Sequence, residues 1–373
     1  MISAQEPAAR IVNIEGHPGD DADGMPAGLE MHQLRRRLLQ ITALVVFVGL
    51  VVALIPGLAD VRAGLARASG GWLALAAGVE VLSCLAYVAA FRAAFCARMT
   101  WRMSYRIGMS ALGAASLLPV GGVGGLAFGA WALRRSGLAV ERIARRTIAF
   151  FLVTSAVNVA AVIVVALALA VGILPGTDRL ILIAGPLVLA AAGLTFTLAG
   201  ARLAARLVPR WSSEDRPKPL RSAARVLDAT SDGVGEAVCL LRSRDVRLLA
   251  GAVGYLVFDL VVFWACFRAF GPAPALGGLL LAYLFGQLGA VIPVPGGIGG
   301  VEAGLVGALV LYGTPAATAA VGVLAYRAVL LGIPAALGTA AFVALKRSLR
   351  DEAAARIPCA DDLPAPQPAV VAP

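Results

Sequence analysis

The stretch VIPVPGGIGGVEAGL, Val291 to Leu305, sets two prolines, four glycines and one glutamate within twelve consecutive residues of an otherwise apolar region. It cannot continue an ordinary helix. Proline has no amide proton to donate, and glycine costs about 1 kcal/mol per residue against alanine in a helix. Such a run is either a loop outside a membrane or irregular backbone held inside one. The second kind survives only where it is buried in protein or lines a wet cavity.

The surroundings make the membrane the issue. Of 373 residues 60% are hydrophobic and 14% charged, and the mean hydropathy is +0.85. That is too apolar for a soluble chain and reads as a polytopic membrane protein. The net charge of +10 sits between apolar runs, as in loops that face anionic lipid, and no nucleic-acid motif accompanies it. Cys84, Cys96, Cys239, Cys266 and Cys359 are scattered without a CxxC pair, so they read as small packing residues with no disulfide framework. His17 and His32 lie in the polar N-terminal tail, which leaves no histidine for a metal site or a triad at membrane depth. No metal and no cofactor is expected.

Residues 1–33 and 349–373 lack apolar periodicity and read as disordered tails around a membrane domain at 34–348. Six segments are long enough to span ~30 Å of hydrocarbon, which needs ~20 apolar residues. They fall at 38–57, 72–95, 147–174, 180–201, 248–270 and 316–345. Two further apolar stretches, 107–133 and 276–313, are interrupted by glycine and proline. Arg35 to Arg37 place the N-terminus inside, and basic loops flank 107–133 on both sides, so that segment enters and returns from the cytoplasm. The loop 202–247 is densely basic and inside, whereas the flanks of 276–313 carry almost no charge, so that segment dips in from outside. Lys346, Arg347 and Arg350 return the C-terminus to the cytoplasm. The fold expected is an all-α bundle of about six full spans and two opposed re-entrant hairpins. It forms an inverted repeat with halves near 38–174 and 180–345.

The repeat is visible in the residues. LLPVGGVGGLAFG (Leu117–Gly129) parallels IPVPGGIGGVEAG (Ile292–Gly304). Gly121, Gly122, Gly124, Gly125 and Gly129 recur, at an offset of 175, as Gly296, Gly297, Gly299, Gly300 and Gly304. Paired interruptions of this kind mark a transporter's binding site, because half-helices beginning there aim free amides at the cavity and favour anions. The candidate substrate-binding residues are Pro119, Gly121, Gly122, Gly124, Gly125, Pro293, Pro295, Gly296, Gly297, Gly299, Gly300, Glu302 and Arg327. Glu302 follows the second glycine cluster, where an ionisable residue is functional by default or else caps its own helix. Arg327 is positioned to pair with Glu302, to grip a lipid phosphate, or to snorkel outward. Asp259 and Glu80 lie within spans, each a proton-coupling carboxylate or a satisfied interhelical partner. Asn158 and Gln287 are further polar groups at membrane depth, and Arg92 and Arg268 read as interface anchors.

PVPGGIGGVEAGLVGALVLYG (Pro293–Gly313) with AYRAVLLGIPAALG (Ala325–Gly338) resembles the signature of the lysylphosphatidylglycerol synthase transmembrane-domain family of flippase-like membrane proteins. LLPVGGVGGLAFGAWALRRSG (Leu117–Gly137) resembles that family's earlier motif, and the likeness extends over about 38–348. Pro295, Gly296, Gly297, Gly299, Glu302, Arg327, Pro334 and Gly338 match the pattern. Leu126 and Ala127 stand where the family often has an acidic residue, and Val301 where it often has an arginine. The resemblance implies a multi-pass plasma-membrane protein, both termini cytoplasmic, that moves a phospholipid or polyprenyl-phosphate lipid across the bilayer. Its partner would be an anionic lipid head group, with a homo-oligomer or an envelope-synthesis protein as further partners. No counterpart of the fused lysyl-transfer domain of some members is expected, and no enzyme activity is expected. Competing classes are an intramembrane lipid-modifying enzyme or glycosyltransferase, an ion-coupled carrier of a small solute, and a non-transporting subunit of an envelope assembly. The first would need a clustered carboxylate pair facing one leaflet.

Overall fold

The computed structural model describes residues 68–117, 122–176, 179–211, 233–240, 245–286, 300–349 and 357–359. All regular structure among them is helical: α1 Gly70–Phe95, α2 Trp101–Leu117, α3 Gly122–Arg135, α4 Val140–Ala170, α5 Leu180–Trp211, α6 Val246–Arg268, α7 Leu276–Gly286, α8 Gly300–Leu311 and α9 Ala316–Leu349. A further helical stretch covers 233–240. Helices α1, α4, α6 and α9 are long and apolar enough to cross a membrane. Their outer faces carry large exposed hydrophobics such as Phe151, Val164 and Val257, as lipid-facing surfaces do.

Helices α1 to α4 recur in order as α6 to α9. Gly70 and Val246, which open α1 and α6, are 176 residues apart; Trp101 and Leu276, which open α2 and α7, are 175 apart. Val140 and Ala316, opening α4 and α9, and Arg135 and Leu311, closing α3 and α8, are each separated by 176. The inversion follows from packing. Gly251 of α6 presses on Ala90 of α1, Gly254 on Ala86, and the Ser83 hydroxyl donates to the Tyr255 carbonyl. At the far end the Ser69 amide donates to the Ala269 carbonyl at 2.7 Å. One sequence number falls as the other rises, so α1 and α6 are antiparallel. Equivalent helices that run antiparallel are related by an axis perpendicular to them, which for spanning helices lies in the membrane plane.

The interrupted segments are helical hairpins. In the first, Gly125 sits against Ala111 and Ala115 while Gly129 faces Ala111; in the second, Gly286 sits against Leu305 and Gly278 against Tyr312. After a shift of 175 these registers agree to within one residue. At 1.5 Å per residue the arms α7 and α8 are only about 17 and 18 Å long, well short of ~30 Å of hydrocarbon. Both hairpins also end in the same turn. Gly137 and Gly313 take φ of 96° and 88°. Leu138 and Thr314 then donate back to the carbonyls of Leu133 and Leu309. A backbone in that left-handed region selects glycine. Because α1 and α6 are antiparallel, the two hairpins open toward opposite ends of the bundle.

Those ends differ in charge. The end reached by the C-termini of α1, α3 and α9 carries Arg92, Arg98, Arg102, Arg106, Arg134, Arg135, Lys346 and Arg347, and α4 begins there with Arg142, Arg145 and Arg146. The opposite end carries Arg179 and Arg268 among the described residues. Arg92 lies over Trp101 and Arg268 over Trp72, each 5.3 Å from the ring centroid, as charged side chains anchored at interfaces do.

Several expectations need correction. The span placed at 147–174 starts earlier, in the basic α4 turn at Val140, and the one placed at 180–201 runs on as helix to Trp211. The loop placed at 202–247 is therefore partly helical, and Arg146 joins its 233–240 stretch through a 3.1 Å ion pair with Glu236. The region from 349 onward is not uniformly a tail. Ile357 and Cys359 are buried, the Ile357 amide donates to the Ser136 carbonyl, and Arg142 donates to the Cys359 carbonyl at 3.0 Å. Nor are all five cysteines packing residues, because Cys96 and Cys359 form a disulfide across 263 residues of sequence. The span at 38–57 and the N-terminal tail lie outside the described residues.

The disulfide has a direct test. In protein unfolded without reductant, a maleimide is expected to modify Cys84, Cys239 and Cys266 alone, and all five cysteines after reduction. Mass spectrometry counts the adducts. Five before reduction would show that Cys96 and Cys359 are not joined.

Candidate functional site

The site is built from the second hairpin and the last span. Helix α8 starts at Gly300 and places Glu302 in its first turn, where a carboxylate meets the free amides and the positive end of the helix dipole. Helix α9 passes alongside and presents Arg327. Arg327 Nε donates to Glu302 Oε1 at 2.6 Å, with side chains 16% and 19% exposed. Taken along α8, Glu302 lies nine residues before Leu311, about 14 Å below that helix's outer end. Arg327 therefore points at Glu302 rather than out to the interface. A charge-assisted bond of this length in a half-buried place is held firmly, and both groups keep part of their surface exposed.

Tyr326 ties this pair to the bundle centre. Its side chain is fully buried, and its hydroxyl donates to Asp259 of α6 at 3.0 Å to Oδ1 and 3.1 Å to Oδ2. The Tyr283 hydroxyl of α7 also donates to Asp259 Oδ2. Phe263, Tyr283 and Tyr326 pack edge-on around this cluster, with centroids 5.0 to 6.1 Å apart, an arrangement worth about 0.5–1.5 kcal/mol per pair beyond burial. Glu80 of α1 is also buried, and its Oε1 accepts from the Cys84 thiol at 3.7 Å.

The structure thus brings Glu302 to Arg327, and Asp259 to Tyr326 beside them. Gly124 and Gly125 are buried at the start of α3, and Gly122 and Gly300 open α3 and α8. Gly125 is where the two arms of the first hairpin touch: a Cβ there would lie 2.6 Å from the Ala111 carbonyl oxygen. Ala127, the counterpart of Glu302, is exposed, so the halves differ chemically. Pro119, Gly121, Gln287, Pro293, Pro295, Gly296, Gly297 and Gly299 lie outside the described residues. Asn158 sits on an exposed face of α4. Tyr283 and Tyr326 were not among the expected site residues. The signal for them was a tyrosine in an apolar helix, which needs a buried partner for its hydroxyl.

A second feature lies at the basic end. An open groove of about 480 Å³ between α2 and α9 is lined by Trp101, Arg102, Tyr105, Arg106, Ala340, Ala341 and Ala344. It joins an apolar floor to two guanidinium groups and two aromatic rings. Arg106 also donates to the Ser348 hydroxyl, which fixes it at the groove's edge.

Inverted helical halves, two short hairpins open to opposite ends and an ion pair at membrane depth define an integral membrane protein of the inverted-repeat type. The family model of the lysylphosphatidylglycerol synthase TM region matches residues 40–338, and the chain belongs to that family. Comparison with curated proteins and with solved structures gives no match.

Proposed function

We propose that this protein binds the head group of a phospholipid or polyprenyl-phosphate lipid between its two opposed hairpins and carries it across the plasma membrane, without covalent chemistry. The observation that carries this reading is the Glu302–Arg327 pair. Each group is the other's partner at a depth where an unpaired charge is costly, so in the empty protein the pair keeps both charges satisfied. A head group with phosphate and a cationic arm replaces both interactions at once: its phosphate takes the Arg327 guanidinium, and its cation takes Glu302. A ligand with only one of those charges would replace only one side of the pair. That requirement is a basis for selectivity.

Hairpins that open to opposite ends fit a carrier that exposes one site first to one leaflet and then to the other. The concentration of arginine at one end supports a cytoplasmic position for that end by the positive-inside tendency. The groove of Arg102 and Arg106 then lies at head-group level in the cytoplasmic leaflet, where anionic lipid gathers. About 13 residues of α9 separate Ala340 from Arg327, roughly 20 Å along the helix.

Reconstitution tests the reading. Vesicles holding the full-length protein and a trace of tail-labelled phospholipid are expected to lose the inner-leaflet pool to an external quencher faster than empty vesicles. Mass spectrometry of lipid retained through purification is expected to show one head-group class enriched over the bulk membrane. Equal quenching with and without protein, together with a co-purified lipid profile that matches the membrane, would refute lipid translocation.

A further inference from the structure

Glu80 and Asp259 are 1% and 5% exposed, and the α1–α6 register that sets Gly254 against Ala86 and Ser83 against Tyr255 brings them level with one another. Each lies in the other's electrostatic field. Their surroundings are unequal. Asp259 receives two tyrosine hydroxyls, from α7 and α9, and feels the Arg327 guanidinium. Both of its oxygens act as acceptors, as in a carboxylate. Glu80 receives only the weak Cys84 thiol on Oε1, and its Oε2 has no hydrogen-bond partner among the described residues. Among the described residues, the further titratable groups around the pair are Tyr87 of α1, Tyr255 and Cys266 of α6 and Tyr105 of α2, near Cys84. Helix α4 keeps its ionisable residues in its first two turns, Glu141 to Arg146, and brings none to this depth.

Two carboxylates at one level of an apolar seam, each in reach of the other's field, do not both stay charged, and a bare ionised oxygen there is costly. We propose that Glu80 and Asp259 hold one exchangeable proton between them, resident on Glu80 Oε2, and that its departure is linked to the Glu302–Arg327 site through Tyr326. The proton leaves for water admitted when the α1–α6 seam loosens, and no other reactant is consumed. The link has a physical route. Tyr326 bonds Asp259, and the next residue on α9 holds Glu302, so a second negative charge at Glu80 alters the field at Arg327. This coupling rests on the lipid-carrier reading; the proton site does not.

Infrared difference spectra of the purified full-length protein, titrated in detergent from acid to alkaline pH, test the site without any transport. A carbonyl stretch of a protonated carboxylic acid is expected at neutral pH, shifted in heavy water, absent in Glu80→Gln and present in Glu302→Gln. Glu80→Asp, which keeps the acid, is expected to show the band at a changed frequency, and serves if the glutamine variant does not fold. Absence of the band from the wild type, its persistence in Glu80→Gln, or its removal by Na⁺ at fixed pH would overturn the proton site. In vesicles with a pH gradient, lipid movement by the wild type is expected to follow the gradient and by Glu80→Gln to ignore it. An intact infrared signature with no lipid movement at all would sink the carrier reading and the coupling while leaving the proton site standing.

Discussion

Glu302→Ala is expected to abolish lipid movement in reconstituted vesicles while the protein still elutes as a folded particle. The variant removes the acceptor 2.6 Å from Arg327 Nε and leaves the guanidinium half-buried and unpaired. Breaking a fully buried pair costs ~3–5 kcal/mol. Here both side chains retain some exposure, so the expected loss of stability is smaller than that range. A loss of transport could still reflect a displaced α9 rather than a lost ligand contact, and the exchanged pair Glu302→Arg with Arg327→Glu separates the two. It rebuilds the ion pair with its polarity reversed. If the pair only braces α8 against α9, the exchange restores both thermal stability and transport. If Glu302 meets a cationic group and Arg327 a phosphate, stability returns and transport does not, because the guanidinium now stands at the amide end of α8. Normal transport by Glu302→Ala would remove Glu302 from the mechanism.

How much of this was legible in the sequence depended on whether the signal lay in a residue type or in a partner. The paired glycine clusters and the charge loaded on one end are properties of the chain itself. They carried the inverted repeat and the two hairpins without coordinates. The same holds for Glu302 and Arg327, whose expense at membrane depth marked them singly. Contacts between distant positions were not legible. Cys96 and Cys359 are separated by 263 residues, and nothing local to either says that the C-terminal stretch folds back onto α3 and α4. Asp259 stood out as a mid-span carboxylate, but its donors come from Tyr283 and Tyr326 on two other helices. Hydropathy does not report which helices adjoin. Helix ends also escaped, since α5 continues to Trp211 through residues whose arginines read as loop. Apolar length measures the membrane-buried part of a helix, not the helix.

Gly338 carries the second large effect, and it shows why a glycine can match a family pattern far from any ligand. A Cβ built on Gly338 would lie 2.5 Å from the Gly113 Cα and 2.7 Å from the Met109 carbonyl oxygen. The reciprocal Cβ on Gly113 would lie 2.7 Å from the Gly338 Cα and 2.9 Å from the Pro334 carbonyl oxygen. All four obstacles are backbone, so no side chain can turn aside, and α2 and α9 must separate. In a membrane, where helices associate through close packing rather than water exclusion, small residues at a crossing set the approach. Pro334, inside α9, belongs to the same crossing and leaves the Leu330 carbonyl without its usual amide donor. Gly338→Ala is therefore expected to lower thermal stability markedly, by the ~1–3 kcal/mol or more that overpacking costs. Gly113→Ala should do the same, and the double variant should lose less than the two losses added, because a single separation relieves both clashes. Gly307→Ala on α8, with nothing within 4 Å of the added carbon, is the control and should be neutral or slightly stabilising through helix propensity. A Gly338→Ala protein that melts with the wild type would mean that α2 and α9 do not cross at this point. The first hairpin would then lack the contact that braces it against the span bearing Arg327.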